Sequence, residues 1–82
     1  MNVTLEALKE LVIANTNVKP TIQHVFIDYG TRWSEDTLVA PNKEGGFSYQ
    51  MLSPRDVLKI KKGEFTDEDA QEFIDEINKR GW

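Results

Sequence analysis

Residues 21–51 read TIQHVFIDYGTRWSEDTLVAPNKEGGFSYQM, and this stretch decides the fold. Its first part, residues 21–29, is rich in β-branched and aromatic side chains, which predicts a strand. Apolar side chains occupy both alternating faces of that strand, with Val25, Ile27 and Tyr29 on one face and Ile22 and Phe26 on the other. We therefore expect the strand either to be covered on both sides or to expose residues for a partner.

The rest of this stretch predicts two more strands. We expect a hairpin loop over residues 30–36 and a short second strand over residues 37–40. Residues 41–46, rich in proline, asparagine and glycine, are a strong turn signal. Residues 47–51 then alternate apolar and polar side chains, which predicts a third strand with one face packed. The packed side chains of that strand would be Phe47, Tyr49 and Met51.

Helical patterns flank the strands on both sides. Apolar residues at helical spacing predict a helix over residues 4–14. Ser53 before a proline is typical of a helix start, and Thr66 with Asp69 three residues later predicts another start. We therefore expect one α+β domain over residues 1–82. It has an N-terminal helix, a three-stranded antiparallel sheet and two C-terminal helices packed on one sheet face.

The composition excludes several classes of function. The 82 residues include no cysteine, so a disulfide, a zinc–thiolate site and a thiol nucleophile are excluded. The longest apolar run, residues 11–14, is far shorter than the roughly 18 residues of a membrane span, so we expect a cytoplasmic protein without a membrane partner. The net charge of −4 argues against direct binding of nucleic acid, because affinity for phosphates comes from clustered lysine and arginine.

The sequence contains no pattern typical of a catalytic, metal or cofactor site. His24 is the only histidine, and a nucleophilic triad would need a hydroxyl and a carboxylate beside it. The acidic run from Asp67 has Glu72 at the position where a calcium loop requires glycine. The glycine pair 45–46 belongs to no phosphate-binding motif. We therefore expect no catalytic residue, no metal and no cofactor, and we expect the chain not to be an enzyme.

Two groups of residues and Trp82 are candidates for binding a partner. Tyrosine, arginine and tryptophan are enriched at binding hot spots, and one of each flanks the expected first loop. The acidic residues of the last predicted helix recur at helical spacing, so their carboxylates would form a row on one face. Such a row could bind a basic surface of a partner or mimic successive phosphates of a nucleic acid. The predicted partner-binding residues are Tyr29, Arg32, Trp33, Glu68, Glu72, Asp75, Glu76 and Trp82. The competing interpretation is that Trp33 folds back over the sheet edge and Trp82 caps the core.

Compact, acidic, cysteine-free chains of this size are common among phage and mobile-element proteins that bind host enzymes. We expect a small protein-interaction module, an inhibitor or regulator that binds and occludes a larger host protein such as a nuclease. The alternative is a single-stranded nucleic-acid-binding domain, in which bases stack on sheet aromatics beside a basic cluster. Those residues would be Phe26, Phe47, Tyr49, Arg55, Lys59, Lys61 and Lys62. An exposed face with Ile22 and Phe26 would imply a homodimer or a complex.

Overall fold

The computed structural model describes residues 2–29 and 31–82, and of residues 28, 29, 31, 32 and 48 it describes the backbone alone. The elements in chain order are α1 (Leu5–Asn15), β1 (Thr21–Tyr29), β2 (Thr31–Pro41), β3 (Ser48–Gln50), α2 (Pro54–Lys61) and α3 (Asp67–Arg80). The strands form one antiparallel sheet in the order β1-β2-β3. The predicted α+β arrangement of an N-terminal helix, a three-stranded antiparallel sheet and two C-terminal helices is confirmed.

β1 and β2 form a long antiparallel hairpin, whose register runs from Thr21 opposite Val39 to Tyr29 opposite Thr31. The predicted loop over residues 30–36 is therefore wrong, because residues 31–36 belong to β2 and are paired with β1. These residues are mostly polar, which is why their sequence indicates a loop. In a hairpin, however, one face can meet solvent, and pairing with β1 satisfies the backbone hydrogen-bonding groups of a polar segment.

Near the turn the hairpin buries one face, and away from the turn β2 is buried on both. Near the turn, the side chains in or against the core are Val25, Ile27 and Trp33, which the register places on one face. Away from the turn, Leu38 and Ala40 are buried on the other face, while Thr37 and Val39 are buried on the same face as Trp33. The open face near the turn carries the ring of Phe26, which is 61% exposed.

β3 is a short edge strand that pairs only with the last three residues of β2. Met51 continues the packed pattern and is buried, but Phe47 is 73% exposed and Tyr49 is 45% exposed. The prediction that one face of this strand is packed is therefore wrong for both rings. Phe47 comes just before β3 at the end of the turn, where its carbonyl accepts a hydrogen bond from the Asn42 N–H at 2.8 Å. Tyr49 lies on an edge strand of three residues, against Gly45 of the turn. Both rings therefore lie at the turn end of the sheet edge, where much of their surface meets solvent.

Each helix starts where the sequence predicts, and a local hydrogen bond from a backbone N–H to a side chain caps each start. The hydroxyls of Thr4 and Ser53 each accept from the backbone N–H three residues later, at 3.1 Å and 3.2 Å. Thr66 and Asp69 form the predicted capping box at the start of α3. These side chains satisfy N–H groups that have no acceptor within the helix, so the helix starts are fixed by local chemistry.

The helices close over the hairpin to form the core. α1 packs against α3 and the sheet, and α2 packs against β1 and β2. The segment before α1 is tied to the loop before α3, where the Val3 N–H donates to the Phe65 carbonyl at 2.7 Å and the Asn2 amide donates to the Gly63 carbonyl. The largest fully buried side chains are Phe65, Leu8, Ile27, Leu38, Val12 and Thr37. Within the described ranges, no helix combines the length and the apolar character needed to cross a membrane.

Candidate functional site

The outer face of α3 carries a row of carboxylates, which we call the acidic face. Its members are Glu68, Glu72, Asp75 and Glu76, all of them exposed. The opposite side of the helix is buried in the core through Ala70, Ile74 and Ile77. Residues four apart on a helix have Cβ atoms roughly 5–6 Å apart, so the packing of one side presents the acidic side chains together on the other. The structure thus groups the four acidic residues that the sequence analysis singled out.

Neighbouring side chains compensate one end of the acidic face more than the other. Glu76 forms an ion pair with Arg80 at 2.9 Å, and Asp75 accepts a hydrogen bond from the Gln71 amide at 2.9 Å. Among the residues that the structure describes, Glu68 and Glu72 have no ion-pair partner. The first two turns of α3 therefore keep the greater uncompensated negative charge.

A shallow groove of about 230 Å³ runs between α2 and the acidic face. It is lined by Asp56, Phe65, Asp69, Glu72, Phe73 and Glu76. Asp69 also accepts a hydrogen bond from Lys59 at 2.8 Å. This bond, together with the backbone hydrogen bond from Thr66, holds the pKa of Asp69 below its ordinary value, and the same carboxylate raises the pKa of Lys59. Asp56 extends the negative surface beyond α3, and only the packing of α2 brings it there.

Trp33 lies inside β2, opposite Ile27, and not in a loop. Its indole is half-buried and packs against the core, as in the competing interpretation of the sequence. Its Nε1 is buried and has no hydrogen-bond partner within the described part of the chain. Much of the Trp33 ring is therefore covered by the core and is not accessible to a partner. The side chains of Tyr29 and Arg32, the other two residues of this predicted site, lie outside the described residues.

Trp82 packs against the core at the end of α3 and is half-buried. Its indole N–H donates to the Ala40 carbonyl at 3.3 Å, and its own carbonyl accepts from the Lys43 N–H at 2.9 Å. These two bonds join the residue to β2 and to the turn before β3. Trp82 thus covers this side of the core, and part of its ring remains accessible.

The structure also shows a cleft that the sequence analysis missed, beside the turn before β3. Tyr49 and Trp82 form its two aromatic walls, and Glu44 contributes a carboxylate. The alternation in residues 47–51 predicts that Tyr49 lies on a packed strand face, and the composition of residues 41–46 predicts only a turn. One feature of the sequence could have indicated the cleft, namely the glycine pair before the alternating strand. A glycine has no side chain, so it leaves room for a ring of the following strand to pack over the turn.

Ion pairs neutralise much of the predicted basic cluster. Lys59 pairs with Asp69 as described above, and Lys61 pairs with Glu35 of β2 at 3.0 Å. His24 lies across the hairpin from Asp36, and its Nδ1 is 2.8 Å from a carboxylate oxygen on an exposed surface. Among the described residues, no three carboxylate or imidazole side chains converge closely enough to hold a metal ion.

Comparison with known proteins gives no relative. No protein-family model, no curated protein and no solved structure matches the chain.

Proposed function

We propose that this chain is a protein-interaction module that docks onto a basic surface of a larger protein through the acidic face of α3. The observation that supports the proposal is the grouping of Glu68, Glu72, Asp75 and Glu76 on one exposed side of a helix whose other side is fixed in the core. A rigid scaffold behind a row of charges lowers the entropy lost on binding.

The dimensions of α3 suit an interface with one partner. The helix has 14 residues and is about 21 Å long at 1.5 Å per residue. Complementary charges speed up diffusional encounter and discriminate against like-charged partners, and salt weakens both effects. We therefore expect binding that falls as the salt concentration rises.

The finer part of the proposal concerns the consequence of binding. In the cytoplasm, a basic surface that handles nucleic acid, such as that of a nuclease, matches the charge of the acidic face. Binding there would occlude the surface, so the module would act as an inhibitor or regulator. The proposal assigns no catalytic step to this chain.

Two matched double variants test the role of the acidic face. Glu68→Gln/Glu72→Gln removes two charges four residues apart from α3, beginning at the second residue of the helix. Glu6→Gln/Glu10→Gln makes the same change at the same helical positions of α1. Both pairs are exposed, so the two variants lose equal charge and similar helix-dipole stabilisation.

The measurement is the amount of each protein retained from a bacterial lysate by the immobilised chain, at low and at high salt. We expect the α3 variant to lose a salt-sensitive partner that wild type and the α1 variant retain. Equal retention by both variants would exclude the acidic face as the interface. If wild type retains no protein at all, the interaction proposal loses its support.

One observation favours the alternative function of binding single-stranded nucleic acid. The rings of Phe26, Phe47 and Tyr49 are exposed, and bases stack on exposed rings. However, Lys61 is paired with Glu35, which the register places on the opposite sheet face from Phe26. Fluorescence anisotropy with a labelled single-stranded oligonucleotide at low salt decides the matter, because the absence of binding where electrostatic attraction is strongest would remove this function.

A further inference from the structure

The cleft beside the turn before β3 has the shape and the lining of a small binding site. It is an open depression in the surface with a volume of about 530 Å³. It is lined by Asn42, Glu44, Gly45, Tyr49, Gln50 and Trp82. The two rings come from β3 and from the second residue after α3, so the cleft exists only in the folded chain. It shares no lining residue with the acidic face.

Hydrogen bonds hold the walls of the cleft in place. The Asn42 side-chain oxygen accepts from the Glu44 N–H at 2.9 Å, and the Asn42 carbonyl accepts from the Gly46 N–H at 2.9 Å. Trp82 is fixed by its bonds to β2 and to the turn, as described above. Tyr49 lies against Gly45 so closely that a Cβ atom there would be 2.8 Å from the ring carbon Cε2. The Trp82 ring is therefore held by a hydrogen bond before any ligand binds, and the Tyr49 ring rests against the backbone of the turn.

The charges around the cleft favour a cation. Glu44 is its one acidic residue, and within the described ranges this carboxylate has no ion-pair partner. The neighbouring Lys43 keeps its positive charge but is not among the lining residues, and its ammonium is directed to the Arg80 carbonyl, to which it donates at 2.7 Å. Aromatic faces attract cations, and a carboxylate beside them adds a hydrogen-bonding acceptor of opposite charge.

We propose that this cleft binds an arginine side chain of the partner protein. A guanidinium is planar, so it stacks on the Tyr49 and Trp82 rings while it donates two N–H groups to the Glu44 carboxylate. The amides of Asn42 and Gln50 supply further acceptors for its remaining N–H groups. This inference rests on the proposed function, since it names a group on the basic partner, and it adds a second contact outside α3.

The probe for this site is N-acetyl-arginine methylamide, titrated into the whole chain. The readout is the NMR signal of the Trp82 indole N–H, which reports on the cleft wall. The control probe is the citrulline analogue, which has the same shape and no charge. We expect a saturable shift with arginine and about threefold to fivefold weaker binding of citrulline, at the upper end of the ratio for losing one exposed charged contact.

Two variants connect the shift to the cleft. Glu44→Gln removes the carboxylate and keeps the backbone N–H that Asn42 binds, and we expect about threefold to fivefold weaker arginine binding. Gly45→Ala displaces the Tyr49 ring and should weaken binding by a similar factor. Glu10→Gln, an exposed change on α1, should leave the affinity unchanged. A circular dichroism spectrum and a urea midpoint close to those of wild type show that each variant is folded.

Three results would overturn the inference: no saturable shift with arginine, equal binding of citrulline, or Glu44→Gln binding as tightly as wild type. A neutral disaccharide that binds in preference to arginine would assign the cleft to carbohydrate and would overturn it as well. These outcomes are separable from the proposed function. Loss of arginine binding leaves partner retention through α3 intact, whereas equal retention by the two helix variants leaves arginine binding in the cleft intact.

Discussion

Replacing Thr37 by valine should stabilise the protein. Thr37 is fully buried in β2, and its hydroxyl has no hydrogen-bond partner among the described residues. A buried polar group without a partner costs about 1–3 kcal/mol relative to a satisfied one. Valine has nearly the same volume and a strand preference like that of threonine, so the change removes the hydroxyl without opening a cavity.

The expected gain follows from these terms. Removing the unsatisfied hydroxyl contributes about 1–2 kcal/mol after allowance for the water that this group also binds in the unfolded chain. The added methyl group contributes up to about 0.8 kcal/mol if the site accommodates it. We expect a net gain of about 1–2 kcal/mol, and each kcal/mol corresponds to a Tm increase of about 4–8 °C for a domain of this size.

Urea unfolding, followed by circular dichroism, measures the difference in the free energy of unfolding. The midpoint should rise while the slope m stays constant, since the surface exposed on unfolding does not change. Thr37→Ser is the matched control: it keeps the hydroxyl and loses the methyl group, so its midpoint should fall. A Thr37→Val protein less stable than wild type would refute the reasoning, because it would show that the hydroxyl is satisfied in solution by a buried water.

Two further predictions concern stability elsewhere in the fold. Since the hydrogen bond from Lys59 lowers the folded-state pKa of Asp69, the stability this carboxylate contributes is present above its ordinary pKa and is lost as pH falls through the lowered value. Urea midpoints measured across the acid range should therefore fall less steeply for Asp69→Asn than for wild type, and parallel curves would contradict this. Trp33→Phe should change the free energy of unfolding by less than about 1 kcal/mol, because the lost apolar area is offset by removal of a buried indole N–H without a partner. A larger loss in thermal unfolding would show that this N–H is hydrogen-bonded.

The proposed docking surface, the acidic face of α3, could be predicted from the helical spacing of residues in the sequence. The spacing of Ala70, Ile74 and Ile77 predicts which side of α3 is buried, and the acidic residues between them must then face outward. Asp56 and the groove beside α3 were not predictable in this way. They depend on how α2 packs, and no pattern within either helix specifies that packing.

The sequence by itself determined the features that involve hydrogen bonds or spacing over a few residues. The caps at Thr4, Ser53 and Thr66 each bond to an N–H three residues later. The β-branched run predicted β1 with its observed bounds, Thr21–Tyr29. Such features are readable because the donor, the acceptor and the alternation of apolar side chains all lie within one short window of the chain.

Only the tertiary structure decided the extent of β2, the exposure of the Phe47 and Tyr49 rings, and the cleft at Trp82. The polar residues 31–36 become a strand because β1 offers them hydrogen-bonding partners. Trp82 is fixed by a bond to the Ala40 carbonyl, 42 residues away in the chain. The physical reason is the same in each case: the free energy of a residue in these positions depends on groups that are distant in sequence and become neighbours only when the twisted hairpin and the helices have packed.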